Sequence, residues 1–178
     1  MSTILFELGT EELPPKSLKT LQNALYNHVK TALGEQNIAF DDIKAYSAPR
    51  RLALLIKGVG DHQPDRTEIK KGPNIKASFD ADGNLSRAGQ GEYIAYELTI
   101  KGKKVTDMMP NLIQKALDDL PIAKRMRSGV SKDEFVRPVQ WVVLMADDTV
   151  IPARILGHDT GRQSRGHRYH APDFFVID

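Results

Sequence analysis

Arg162, Arg165 and Arg168 recur at every third position late in the chain, and from His158 to His170 only Asp159 opposes them. Upstream, Lys124, Arg125 and Arg127 crowd into four positions, Arg50 and Arg51 follow Pro49, and Arg137 precedes Pro138. A guanidinium carries a planar fork of N–H donors that matches phosphate or carboxylate oxygens in pairs. If folding gathers these groups, they can build a phosphate-binding face. With His167 between Arg165 and Arg168, they make the candidate set for contact with RNA or with a partner protein. Two competing readings stay open. The cations can be solvated surface charge, and Lys124, Arg125 and Arg127 can simply complement the negative end of a preceding helix. Arg51 and Arg137, each beside strand residues, are also placed to pair with Glu7 or Glu11.

The remaining polar residues offer less chemistry. Glu11 and Glu12 stand between the apolar run from Ile4 and the pair Pro14-Pro15. Negative charge there favours the positive end of a following helix, and this acidic pair is kept as a candidate subunit contact. The pairs Asp41-Asp42, Asp118-Asp119 and Asp147-Asp148 diverge on a regular element or sit in turns. His158, His167 and His170 invite a metal or acid–base reading. However, Gly157, Gly161, Gly166 and Pro172 oppose the helix that would align His167 with His170, and a strand would send them to opposite faces. No metal site is expected. Ser47, Ser128 and Ser164 lack a nucleophile context. Gly58-Val59-Gly60 lacks the third glycine and the lysine of a nucleotide-binding loop. With no cysteine in the chain, disulfides, thiolates and cysteine-ligated zinc are excluded.

These groups need elements to position them. The spacing of Leu18, Leu21, Leu25, Val29 and Leu33 predicts a helix from Pro14 to Gly34, with Gly34 suited to a left-handed cap. A second helix is predicted from Asp107 to Leu120, carrying Met109, Leu112, Ile113, Ala116, Leu117 and Leu120 and stopped by Pro121. A strand is predicted over Leu52 to Val59, and a hairpin joins Tyr93–Ile100 to Lys103–Val105 around Lys101-Gly102. Another joins Val139–Ala146 to Val150–Leu156 across Asp147-Asp148-Thr149, and Phe174–Ile177 closes the chain as a strand. No regular βαβ alternation appears. The expected fold is α+β, with mostly antiparallel sheets and two main helices in one or two subdomains. Residues 1–60 form one α+β part, 61–91 a polar arm or linker, and 92–178 a second α+β part that can pack with the first.

The chain has 178 residues, 40% hydrophobic and 27% charged, which is ordinary for a globular protein with a real core. No apolar run approaches the ~20 residues that cross a bilayer, so no membrane partner is expected. Met1-Ser2-Thr3 lacks a charged leader, and a cytoplasmic location is expected. A net charge of +2 does not by itself advertise nucleic-acid binding, so the argument rests on how the charge is distributed.

Six segments follow the opening Leu5-Phe6-Glu7-Leu8-Gly9-Thr10-Glu11-Glu12-Leu13-Pro14-Pro15 in fixed order. They are Ser47-Ala48-Pro49-Arg50-Arg51-Leu52-Ala53, Lys71-Gly72-Pro73, Ala81-Asp82-Gly83-Asn84, Leu120-Pro121-Ile122-Ala123-Lys124-Arg125-Met126-Arg127, Phe135-Val136-Arg137-Pro138-Val139-Gln140-Trp141, and Arg165-Gly166-His167-Arg168-Tyr169. Each alone is unspecific. In this order and rough spacing they resemble the N-terminal part of the beta subunit of the bacterial heterotetrameric glycyl-tRNA synthetase, over nearly the whole chain. Two departures stand out. Full-length beta subunits are several times longer, with later helical domains and an anticodon-binding end. After Ala88-Gly89-Gln90-Gly91 the family also continues through a stretch that is missing here before the equivalent of Glu92-Tyr93-Ile94-Ala95-Tyr96.

The resemblance implies a division of labour. In the family the alpha subunit joins glycine to AMP, using ATP and magnesium, and then to tRNA. The beta subunit is needed for tRNA recognition and for a working alpha2beta2 tetramer. This chain would then hold no catalytic residue and bind no cofactor. Arg50, Arg51, Lys124, Arg125, Arg127, Arg137, Arg162, Arg165, His167 and Arg168 would face the tRNA for glycine or the alpha subunit, with Glu11 and Glu12 as a subunit contact. Two alternatives are a stand-alone RNA-binding module and a purely structural assembly domain. The mark of the latter would be arginines buried against carboxylates beside an exposed apolar patch.

Overall fold

The computed structural model describes residues 1–74, 93–127 and 133–177. The segment around Ala81–Asn84, the stretch at Ala88–Gly91 and Ser128 lie outside the described residues. Contacts divide the chain into two units, one of Met1–Gln63 with Lys103–Asp178 and one of Pro64–Gly102.

The first unit is organised by β1 (Ser2–Thr10). It lies between β3 (Arg51–Val59) and β8 (Val139–Ala146), antiparallel to both, and β2 (Asp42–Ala48) extends the sheet beyond β3. On the far side of β8 run β9 (Thr149–Val150) and β11 (His158–Gly161), the latter parallel to β8, with β10 (Arg154–Ile155) beyond. Because side chains alternate across a strand, the register sorts them into two faces. Ile4, Phe6 and Leu8 pair across β3 with Ile56, Leu54 and Leu52, and across β8 with Ala146, Leu144 and Val142, making one continuous apolar face. The opposite face carries Glu7 and Gly9 with Ala53, Arg51, Trp141 and Val143.

The apolar face is covered by α1 (Pro15–Glu35) and α2 (Val105–Asp118). Helix α1 buries Leu21, Leu25, Val29 and Leu33, the stripe its spacing predicts, and α2 buries Val105, Met109, Ile113, Ala116 and Leu117. Each of these leucine, isoleucine, valine and methionine side chains contributes about 1.5–3 kcal/mol by leaving water. The α+β expectation with two main helices and mostly antiparallel strands holds. Among the described residues no helix is long and apolar enough to cross a membrane.

Several local expectations are corrected. The left-handed residue after α1 is Asn37 (φ 52°), not Gly34. The Asn37 N–H reaches the Gly34 carbonyl at 3.0 Å and the Ile38 N–H reaches that of Leu33 at 2.9 Å, with Leu33 and Ile38 both buried. This is a Schellman end, which satisfies two orphan carbonyls and lets α1 run past Gly34. The strand Tyr93–Ile100 does not pair with Lys103–Val105. As β5 it pairs with β4 (Arg66–Asn74), and Val105 instead begins α2. The predicted strand Val150–Leu156 is split between β9 and β10. Phe174–Val176, β13, pairs with β12 (Gln163–Arg165) in a separate ribbon. A further short pair joins β6 (Met126–Arg127) to β7 (Glu134–Phe135).

Candidate functional site

The acidic corner after β1 is tied to two other segments through its backbone. The N–H groups of Thr10 and Leu13 donate to the carbonyls of Arg50 and Pro49, and that of Glu11 donates to Pro138 at 2.9 Å. These bonds bring Arg50 beside Glu11, 3.1 Å apart, with the Gln140 amide on the other carboxylate oxygen of Glu11 at 3.1 Å. Glu11 is thus already engaged within the chain. Arg137 donates to the Glu12 carbonyl at 3.1 Å.

On the sheet face away from the helices, Trp141 lies across Gly9. A Cβ on Gly9 would come within 2.1 Å of the indole, so this strand position admits only glycine beneath that ring. The indole N–H donates to Glu7 Oε1 at 2.8 Å, the Ser164 hydroxyl donates to the same oxygen, and Arg51 Nη1 lies 3.3 Å from Glu7 Oε2. Glu7 is only 6% exposed. A buried carboxylate is tolerable when its oxygens are hydrogen-bonded and a cation faces it, and both conditions are met here.

Arg51 also donates through Nη2 to the Arg165 carbonyl, and its guanidinium lies 5.8 Å from the Trp141 ring centre. It therefore clips the ribbon of β12 and β13 onto the sheet. Phe174 meets Trp141 edge-on at 5.8 Å, and the Arg165 guanidinium lies 5.2 Å from the Phe174 ring while donating to the Pro172 carbonyl. The connection from β12 to β13 is held closed. Gly166 packs where a Cβ would come within 2.7 Å of Ala171, and the Ala171 N–H donates to the His167 carbonyl at 2.8 Å. His167 Nδ1 accepts from the backbone N–H groups of Tyr169 and His170 at 3.3 and 3.4 Å.

Between this connection and the Pro49 turn lies a cleft of about 480 Å³, walled by Glu12, Arg50, Arg51, Trp141, Arg165 and the segment Gly166–Tyr169. Four candidate arginines, Arg50, Arg51, Arg165 and Arg168, thus share one surface depression with His167. Their charges are not equally available. Arg50 and Arg51 are matched by Glu11 and Glu7, whereas among the described residues no carboxylate lies within 4 Å of Arg165 or Arg168. The Arg168 guanidinium lies 5.6 Å from the ring of Tyr169, which is 78% exposed.

The other candidates lie elsewhere. Arg125 donates to the carbonyls of Asp118, at the end of α2, and Glu134, so it complements a helix terminus. Arg127 pairs with Glu134 at 2.9 Å. Lys124 and Arg137 line a smaller cavity of about 220 Å³ with Pro14 and Pro121. Arg162 donates to the Asp148 carbonyl and faces another cleft beside Gln140 and Phe174. His158 sits apart, its Nδ1 3.1 Å from the Leu156 carbonyl, and among the described residues no three His, Asp or Glu side chains are grouped to hold a metal ion. Trp141, Ser164, Tyr169 and Phe174 were not singled out from the sequence as site residues. One signal existed, the lone tryptophan of the chain and a glycine inside a strand, but nothing local says that they touch.

Comparison with known proteins fits the segments that build this site. The family model described as glycyl-tRNA synthetase beta subunit matches residues 4–91 and 84–178. The chain belongs to this family. A protein named glycine–tRNA ligase beta subunit from Moraxella catarrhalis is 64% identical over 203 residues, covering 100% of this chain and 76% of that protein. Proteins of the same name from Acinetobacter baylyi and Marinobacter nauticus are 46% and 40% identical, covering 98% and 97% of this chain but 28% of their own length. The chain therefore spans little more than a quarter of those two family members. The alignment with the Moraxella protein is longer than the 178 residues here, so that relative has residues where this chain has none. The two parts of the family match overlap over 84–91.

Proposed function

We propose that this chain is the leading section of a glycine–tRNA ligase beta subunit. In this reading it supports ATP-dependent attachment of glycine to its tRNA, through tRNA recognition and subunit assembly in a cytoplasmic alpha2beta2 enzyme. The catalytic site, with its ATP and magnesium, belongs to the alpha subunit. The supporting observation is the cleft. Cations from residues 50–51 and 165–168 meet there, and two of them, Arg165 and Arg168, have no carboxylate partner among the described residues. Such charges are available to phosphate oxygens, whereas Arg50 and Arg51 hold the cleft's shape.

The test is the salt dependence of tRNA binding by the assembled ligase. Arg168→Ala should weaken binding and shallow the slope of log K against log salt by about 0.7–0.9, the loss of one phosphate contact. Arg125→Ala, which removes a helix-end contact, should leave the slope in place. An unchanged slope in Arg168→Ala would remove the cleft from the RNA interface. This chain by itself should form no glycyl adenylate in pyrophosphate exchange.

A structural assembly role is favoured by a different observation. Arg50 and Arg51 are ion-paired inside the chain, and Phe174, Phe175 and Val176 are about half exposed on β13. Phe175→Ser would weaken tetramer assembly in that case while leaving the salt slope unchanged.

A further inference from the structure

We infer that the cleft between the Pro49 turn and the Gly166–Ala171 connection takes an unstacked nucleotide of single-stranded RNA, its base lying on Tyr169 and its phosphate on Arg168. The inference rests on the RNA-facing reading above and narrows it to one class of RNA. A site for phosphate alone needs cations and backbone donors, and has no use for a large ring left 78% exposed at the rim. Here the backbone that carries the ring is held in place. The Gly166–Ala171 contact and the two backbone N–H groups on His167 Nδ1 close the connection on both sides of Tyr169. With the backbone set, only the two side-chain torsions of Tyr169 remain to be fixed on binding, so the ordering cost is small beside the stacking energy.

What can use that plane is restricted by geometry. Bases in an RNA duplex already stack on one another and present only edges, whereas a splayed single-stranded base offers a face. The Arg168 guanidinium, over one face of the same ring at 5.6 Å from its centre, adds a cation to the stack, and Arg165 supplies a second. This is the pairing of aromatic platform and cationic track that single-strand binding requires. The cleft volume of about 480 Å³ falls within the range of small-ligand pockets, enough for a unit or two of chain. An acidic peptide would satisfy the guanidiniums but leave the ring without a planar partner.

The 178-residue chain carries its own reporter, because its only tryptophan, Trp141, walls the cleft. A labelled six-nucleotide oligouridylate is titrated by anisotropy while Trp141 emission is followed. A stably paired RNA hairpin, compared at equal phosphate concentration, and a poly-glutamate peptide serve as competitors. The expected result is single-strand binding that changes Trp141 emission, is weakened roughly five- to a hundredfold by Tyr169→Ala, is restored by Tyr169→Phe, and is poorly displaced by hairpin or peptide. Equal binding of hairpin and single strand, with Tyr169→Ala unchanged and Arg168→Ala weakened, would overturn the single-strand assignment and leave the RNA reading standing. Displacement by poly-glutamate as strong as by RNA, and independent of Tyr169, would assign the cleft to an acidic protein segment. No binding of either RNA at millimolar concentration would remove both readings.

Discussion

At the scale of single residues, Glu7 carries the most consequence. It sits in the central strand, paired with Ala53 and Val143, and takes bonds from Trp141 and Ser164 and a cation from Arg51. Removing the carboxylate by Glu7→Ala leaves an indole N–H and a hydroxyl unsatisfied and a partly buried guanidinium unpaired. Because the Arg51 side chain is still 31% exposed, the loss falls at the low end for breaking a buried pair, about 3 kcal/mol. Glu7→Gln keeps the shape and one acceptor, and costs about half as much. Urea unfolding checks both, with a lower midpoint at unchanged m-value expected and a red-shifted Trp141 emission in Glu7→Ala. A Glu7→Ala midpoint equal to the parent would show that the network contributes nothing. Arg51 beside Glu7 was legible in the sequence, since both flank strand residues. Ser164 was not: it lies 157 positions from Glu7, and only the clipping of the β12–β13 ribbon onto the sheet brings it there.

Elements were legible where one helix or strand carries a long repeat, and less so where partners had to be chosen. Leu21, Leu25, Val29 and Leu33 mark one face of α1 whatever that helix meets, so its existence and orientation follow from spacing alone. Its end did not, because a glycine was available at Gly34, while the buried pair Leu33 and Ile38 favoured closing the helix around Asn37. The same competition misplaced β5. Lys101-Gly102 is a local turn signal, but nothing local reveals that β5 pairs with a strand beginning at Arg66. The candidate site shows this limit most clearly: its cations could be read one by one and Arg51 matched to Glu7, yet it is Arg50, not Arg137, that the fold sets beside Glu11. Packing of α1 carries a direct prediction. Leu25→Ala, at a position 1% exposed, should cost about 2–5 kcal/mol, whereas Lys19→Ala on the exposed face should change stability by less than about 0.5 kcal/mol. Equal denaturation midpoints for the two variants would contradict the helix's assigned face.

For the whole molecule, the first unit is discontinuous in sequence, leaving at Gln63 and returning at Lys103. The two ends are bonded to each other: the Gln63 N–H donates to the Lys103 carbonyl at 2.9 Å, His62 bridges Lys104, and the Val105 N–H that opens α2 donates to Asp61 at 2.9 Å. The core of the first unit draws its residues from both sides of this junction, with Phe6, Leu25 and Leu54 before it and Met109, Ile113 and Leu144 after it. A core so composed needs the two segments joined, and the hydrogen-bonded ends supply a join that a few residues can span. Replacing Pro64–Gly102 by a three-residue Gly-Ser-Gly linker should therefore leave the first unit cooperatively folded. The shorter loop should favour the folded state by roughly 2 kcal/mol through reduced closure entropy. Calorimetry and Trp141 emission check this, since a single transition with native-like emission is expected. Loss of that transition would mean that the first unit depends on the second for its fold. If the first unit survives, the arginine cleft, which lies wholly within it, can be tested for RNA with Pro64–Gly102 removed.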